Sequence, residues 1–269
     1  MSPKQILSGG LHVMSNLKDS VSRTVLVALV LCVVCSVIVS AAAVMLRDKQ
    51  QANAINEKKM NILAAAGIEV IDGNLDAAFA TITPKLVDMR TGLFSSAEDV
   101  ATYDMRKAAK DPSRARALTG EQDIASIRKQ SLYSTVYLVE GDQGIERIIL
   151  PIHGYGLWST LYGFIALESD LNTVSGLGFY EHAETPGLGG EVDNAKWKAL
   201  WPGKKVYADG SYEPVIGLIK GKAPAGDMHK VDGLAGATLT SNGVTNLVKF
   251  WLGKNGFSPF LAKLKVGEA

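Results

Sequence analysis

The sequence predicts an α+β protein: one N-terminal membrane helix followed by a mixed helix-and-strand domain. Three observations carry this reading. Residues 24–46 form a run of 23 residues without a charge, most of them Val, Leu, Ala or Ile. From residue 131 onward, short alternating or continuous apolar segments are separated by Gly- and Asp-rich turns, the pattern of antiparallel strands. Strands and helices then mix without regular βαβ alternation, which argues against a doubly wound parallel sheet.

As a helix the uncharged run spans about 34 Å, enough for a bilayer core of about 30 Å. A cleaved signal peptide is the competing reading, since Ser40-Ala-Ala-Ala43 offers small residues of the kind found at cleavage sites. The run is longer than an ordinary signal core of about 7–15 residues, so an uncleaved single span is the better fit. Cys32 and Cys35 are the chain's only cysteines, and both lie inside it. There they act as small apolar packing residues rather than as a redox pair. Apart from these thiols the span has no ionisable side chain, so it offers no ion path by itself. Flanking charges leave orientation open: Lys4, Lys18 and Arg23 precede the run, and Arg47, Lys49, Lys58 and Lys59 follow it.

Residues 1–23 are thus expected to be a short N-terminal segment, 24–46 the membrane helix, 47–130 a helical intermediate region and 131–269 the main domain. In the intermediate region residues 50–66 continue the helix to a stop at Gly67. Residues 75–82 form a short helix ending before Pro84, and 97–110 a third ending at Asp111-Pro112. In the main domain, strands are expected over 132–140 and 145–150, joined by a Gly-Asp-Gln-Gly hairpin. A second pair covers 157–167 and 173–180. A helix over 194–201 stops at Pro202, and short strands follow at 215–220 and 229–232. The clearest helix covers 241–254, with Val244, Leu247, Val248, Trp251 and Leu252 as its apolar stripe. Ser258-Pro259 opens a last helix as N-cap and first residue.

Composition narrows the function. Lys plus Arg number 28 and Asp plus Glu 27, a net charge of +1 that lacks the basic footprint of a nucleic-acid binder. Two cysteines exclude a disulfide scaffold and any four-thiolate metal or iron–sulfur site within the chain.

Three segments have the residue types of a ligand site. Asp232-Gly-Leu-Ala-Gly-Ala-Thr-Leu-Thr240, continuing through Ser241, places small residues and hydroxyls just before a strong helix. Backbone N–H groups at a helix N-terminus bind phosphate readily; the plainer alternative makes Thr240 or Ser241 only the helix N-cap. No Gly-Lys-Ser/Thr follows, so this is not a nucleotide P-loop. Glu184-Thr-Pro-Gly-Leu-Gly189 follows a strand and fixes a turn. His182-x-Glu184 lacks the downstream cysteines of a zinc deaminase, and no metal site is expected. Gly154-Tyr-Gly-Leu-Trp-Ser159 combines backbone access with flat apolar surface at Tyr155 and Trp158. A surface turn and a core aromatic pair are the plainer alternatives for these two.

Together the three segments resemble the flavin domain of the NqrC family, found in sodium-translocating NADH:quinone oxidoreductases, and the likeness covers essentially the whole chain. The stretch from Asp232 to Thr240 is similar to the family's D-x-x-[ST]-G-A-T-x-[ST] flavinylation motif, with Ala235 where the motif carries Ser or Thr. The resemblance implies FMN joined by a phosphoester to Thr240. It also implies cofactor contacts from Asp232, Gly236, Ala237, Thr238, Leu239 and Ser241, from Glu184, Thr185, Gly187 and Leu188, and from Tyr155, Leu157 and Trp158. No catalytic side chain is expected, because the flavin carries the redox chemistry. The implied role is a single-electron relay within a multi-subunit complex that couples NADH oxidation and ubiquinone reduction to sodium export. The implied setting is the bacterial inner membrane, with the N-terminus cytoplasmic and the flavin domain periplasmic. An FAD-dependent FMN transferase, the other subunits and the lipid bilayer are the implied partners. Two alternatives stay open at this point: the flavin subunit of the related ferredoxin-linked Rnf complex, and a membrane-anchored module that binds FMN without a covalent bond.

Overall fold

The computed structural model describes residues 21–142 and 144–269; the expectations for residues 1–20, including Lys4 and Lys18, lie outside them. The chain divides into two compact units at Ala54/Ile55. In the first, the apolar run lies on α1 (Val21–Ala65), whose most apolar window has a mean hydropathy of 3.0 and is wholly exposed. An exposed apolar helix of this length is suited to lipid, not to water.

The second unit is built on a six-stranded antiparallel sheet in the order β2-β1-β5-β6-β7-β8. Its strands are β1 (Ile82–Asp88), β2 (Leu93–Ser95), β5 (Tyr133–Gly141), β6 (Gly144–Tyr155), β7 (Thr160–Glu168) and β8 (Val174–Glu181). Two small pairs flank it: antiparallel β3 (Ala115–Ala117) with β4 (Lys129–Ser131), and parallel β9 (Gly217–Ile219) with β10 (Lys230–Asp232). The helices are α2 (Leu75–Phe79), α3 (Met105–Ala108), α4 (Ala195–Lys198), α5 (Thr238–Trp251) and α6 (Ser258–Lys265).

Alternation along the long strands separates two cores, because successive side chains point to opposite faces. Ile148, Leu150, Ile152, Ile165 and Leu167 face one core with Val244, Leu247, Val248 and Trp251 of α5 and Phe260 and Leu261 of α6. Ile149, Phe164 and Ala166 face the other, where the end of α1 contributes Ile62, Leu63 and Ala65. Helix α1 stops there as the sequence implies: Gly67 is left-handed at φ +66°, and Ile68 N–H bonds Leu63 O at 2.9 Å.

The α+β class, the hairpin and the strand pairs of the main domain agree with expectation. The helical intermediate over 47–130 does not. Beyond Ala65 that region holds the short α2 and α3, two single 3-10 turns (Ile71–Gly73 and Gly120–Gln122) and four strands, and β1 sits inside the main sheet beside β5. Pro84 obscured β1. It is tolerated because β2 pairs only with residues 86–88, which leaves the strand an open edge at Pro84. The helix expected over 97–110 shrinks to α3, because Asp99 and Asp104 turn their carboxylates onto following backbone N–H groups. At the other end, α5 begins at Thr238, with Ala237 as its N-cap and no capping side chain. Neither Thr240 nor Ser241 is the cap. Likewise Ser258 is the first residue of α6, and Phe257 is its cap.

Leu247 is fully buried where α5 crosses β6, at the bare backbone of Gly154. Leu247→Ala should lower stability by about 2–5 kcal/mol, read as a lower midpoint in thermal or denaturant unfolding of the detergent-solubilised chain.

Candidate functional site

The three segments singled out in the sequence meet at the N-terminal end of α5. The turn between β6 and β7 brings Tyr155 to Ser159, the loop after β8 brings Glu184 to Gly189, and the loop after β10 leads into Thr238. Residue size decides how closely they approach. A Cβ on Gly243 would lie 2.5 Å from Tyr155 O, so only glycine lets α5 lie against the first turn. A Cβ on Gly189 would lie 2.6 Å from Thr240 Oγ1 and 2.7 Å from Glu184 Oε2.

Glu184 is the hub. Its side chain is buried, and Oε1 accepts the backbone N–H groups of Leu157 (3.0 Å), Trp158 (2.9 Å) and Ser159 (3.3 Å). Oε2 accepts the Thr240 hydroxyl at 2.6 Å. Burial pushes the carboxyl pKa up, but the Thr240 hydroxyl and the three amides outweigh it, and the group is held below the ordinary carboxylate value. The backbone N–H of Glu184 donates to His182 Nδ1 at 3.1 Å, and His182 Nε2 lies 2.8 Å from Asp193. An accepting Nδ1 places the neutral ring's proton on Nε2, where it donates to that carboxylate.

The remaining expected residues divide into two groups. Tyr155, Leu157, Trp158, Leu188 and Leu239 are exposed apolar side chains, Trp158 to 65% and Leu239 to 59%. Leu188 reaches across to Gly236. Thr185, Gly187, Gly236 and Thr238 are exposed as well. Structural work occupies the others. Ser241 Oγ accepts Leu234 N–H and donates to Ala237 O, both at 3.0 Å. Asp232 Oδ1 accepts Ala223 N–H at 2.8 Å, and its carbonyl accepts the Trp197 indole N–H.

Thr240, the attachment point that the resemblance implies, lies inside the site. Its exposure is 0%, and its hydroxyl is committed to Glu184. Thr238, two residues earlier, is exposed at the first position of α5, and its side chain makes no hydrogen bond among the described residues. The helix therefore starts with free backbone N–H groups, no side-chain cap and an open hydroxyl beside an apolar surface, the features that receive a phosphate and a flat ring. Ser159 and Gly189 close two of the segments read from the sequence, but the sequence assigned neither of them a role. A backbone donor leaves no residue-type signal of its own, and a glycine signals a close approach without naming what approaches.

Comparison with known proteins sets this geometry in a family. The chain is 54% identical to the NqrC subunit of the Na(+)-translocating NADH-quinone reductase of Pseudomonas aeruginosa, over 94% of this chain and 99% of that one. It is 50% identical to the corresponding NqrC of Vibrio alginolyticus, over 95% and 99%. The chain belongs to the NqrC family of Na(+)-translocating NADH-quinone reductases. Residues 156–253 match the family model of the FMN-binding domain, a stretch that runs from the β6–β7 turn to the end of α5 and holds most of the site. The crystal structure of NqrC from Shewanella oneidensis superposes with a TM-score of 0.75 at 36% identity, covering 80% of this chain and 99% of that one. The crystal structure of the same subunit from Parabacteroides distasonis gives 0.60 at 28% identity, covering 82% and 96%. The full-length likeness to NqrC, rather than the flavin-binding stretch alone, sets this chain apart from the ferredoxin-linked alternative.

The lowered Glu184 pKa has a defined pH signature. A carboxyl depressed in the folded state stabilises the fold above its unfolded pKa, and that contribution is lost as pH falls through the folded value. Glu184→Gln keeps an acceptor for the amides but loses the charge, and should cost about 1–3 kcal/mol at neutral pH. The gap between wild type and variant should close in acid below the ordinary carboxylate range, as read from unfolding midpoints across a pH series.

Proposed function

We propose that this chain is the NqrC redox subunit of a Na+-translocating NADH-quinone reductase, carrying FMN covalently through a phosphoester to Thr238 and relaying single electrons between other subunits. The observation that carries the attachment site is the uncapped start of α5, where Thr238 is exposed and Thr240 is buried. The residues fit the group. A phosphate on Thr238 lies at the positive end of the α5 dipole, beside the first-turn N–H groups that have no partner within the helix. Trp158, Leu157, Leu188 and Leu239 offer the exposed apolar faces a flat ring needs. When bound, FMN supplies the redox chemistry. The chain's own residues hold and orient it: Glu184 fixes the turn that presents Leu157 and Trp158, and Gly189 and Gly243 keep the loops close enough to form one surface.

A free threonine hydroxyl is a weak nucleophile, so attachment calls for an FAD-dependent transferase that activates it. In that reaction the Thr238 oxygen would bond to the FMN-side phosphorus of FAD as the phosphoanhydride breaks, with AMP as leaving group and the hydroxyl proton passing to solvent. The same reading places α1 across the bacterial inner membrane, with the N-terminus cytoplasmic and the flavin domain on the periplasmic side, where the transferase acts.

Intact-mass measurement of the denatured chain, from a host that contains the transferase, tests this. Wild type and Thr240→Ala should carry an addition of about 438 Da, FMN less one water, and a fluorescent band on a denaturing gel. Thr238→Ala should lose both. Loss in Thr240→Ala with retention in Thr238→Ala returns the attachment to Thr240.

A further inference from the structure

Beside the proposed flavin surface lies an open groove of about 990 Å3, formed by α3, residues 126–131 and the facing ends of β6 and β7. Its lining contains Arg106, Lys110, Arg128 and Lys129 and no carboxylate. In a chain with 28 basic and 27 acidic residues that segregation is local, not a reflection of composition. Lys110, Arg128 and Lys129 are exposed, and their side chains form no ion pair among the described residues. Arg106 is different: its guanidinium is paired with Glu181 at 2.6 and 2.8 Å and sits 3.9 Å from the Tyr162 ring centroid, so it belongs to the wall.

The floor is aromatic. His153 stacks on Tyr162 with centroids 5.3 Å apart and leans on Trp251 at 4.8 Å. Burial, with Arg106 adding to it, pushes the His153 pKa down to about 4, so the ring is neutral and the charge stays at the rim. The rim is also built to hold position. Both Asp123 carboxylate oxygens accept backbone N–H groups, from Ile127 at 2.8 Å and Arg128 at 2.7 Å, and Arg128 is held left-handed at φ +64°. The same loop is tied to the flavin surface, because Ala125 O accepts Tyr155 N–H at 2.8 Å and Tyr155 lines the groove.

We infer that this groove docks an acidic segment of another protein of the complex, whose carboxylates meet Lys110, Arg128 and Lys129 while an apolar side chain rests on the aromatic floor. The inference builds on the proposed role of the chain in a multi-subunit complex. Charge complementarity decides the occupant. Three exposed cations without ion-pair partners, in a lining that presents no carboxylate, attract a negative partner and repel a positive one, and such rims steer and orient association. Position supplies the consequence. A partner seated there contacts the loop that supports Tyr155 and so lies next to the site through which electrons would pass.

The test uses the whole complex, purified through a tag on one of the other subunits, across a salt series. The triple variant Lys110→Glu/Arg128→Glu/Lys129→Glu is compared with wild type and with Lys222→Glu/Lys254→Glu, which alters exposed cations elsewhere. Covalent flavin on the triple variant, measured by mass, shows that its domain folds and keeps the flavin reading separate from the docking reading. Loss of the triple variant from the complex at about 0.15 M ionic strength, with wild type and control retained, is the expected result. The neutralised Lys110→Gln/Arg128→Gln/Lys129→Gln variant should dissociate at a salt concentration between the two. Retention of the triple variant at wild-type stoichiometry across the series overturns the inference, as does loss matched by the control.

Discussion

One buried carboxylate organises the site. Left alone, Glu184 would be costly to bury ionised; with three amide donors and a hydroxyl it becomes a fixed acceptor that joins the β6–β7 turn, the loop after β8 and helix α5. Hydrogen bonds to a charged group contribute about 1.5–3 kcal/mol each, so the hub is a strong constraint on a surface otherwise made of loops. The three N–H groups it accepts are consecutive, and any change in the turn that breaks one disturbs all three. The turn that shows Trp158 to solvent is thereby rigid although its side chain is exposed.

The same interaction explains the division of labour between two threonines on one helix turn. Thr240 points inward and closes the hub. Thr238 stands at the open end of the helix, where the backbone N–H groups have no cap. A protein that needs an anion at that position gains by leaving the cap out, since a capping side chain would compete for the same donors. Ala235 is exposed just before this turn, so a hydroxyl there would face solvent and contribute nothing to the core.

Much of this was legible in the sequence, for physical reasons that differ between elements. The uncharged run, the apolar stripe of α5 and the long strands β5 to β8 carry periodicities that survive any context. The three ligand segments stood out through residue types with few other uses: glycines at close approaches and clustered hydroxyls before a helix. What could not be read was set by tertiary contact. The placement of β1 depends on a neighbour about fifty residues away, and its proline masks the alternation. The two hydroxyls of Thr-Leu-Thr look alike in a motif; burial alone tells them apart. The match at Glu184 identified the residue but not its work, because the partners of its carboxylate are mostly backbone amides, which no motif records.

The Glu184 carboxylate holds the turn at residues 157–159 in place through three consecutive amides. Residue-resolved amide hydrogen exchange on wild type and Glu184→Ala reads this constraint amide by amide. The Leu157, Trp158 and Ser159 amides should be strongly protected in wild type. That protection should collapse in the variant, while the amides paired between β6 and β7 stay protected. Unchanged protection at those three positions would contradict it and would place the rigidity of the turn elsewhere.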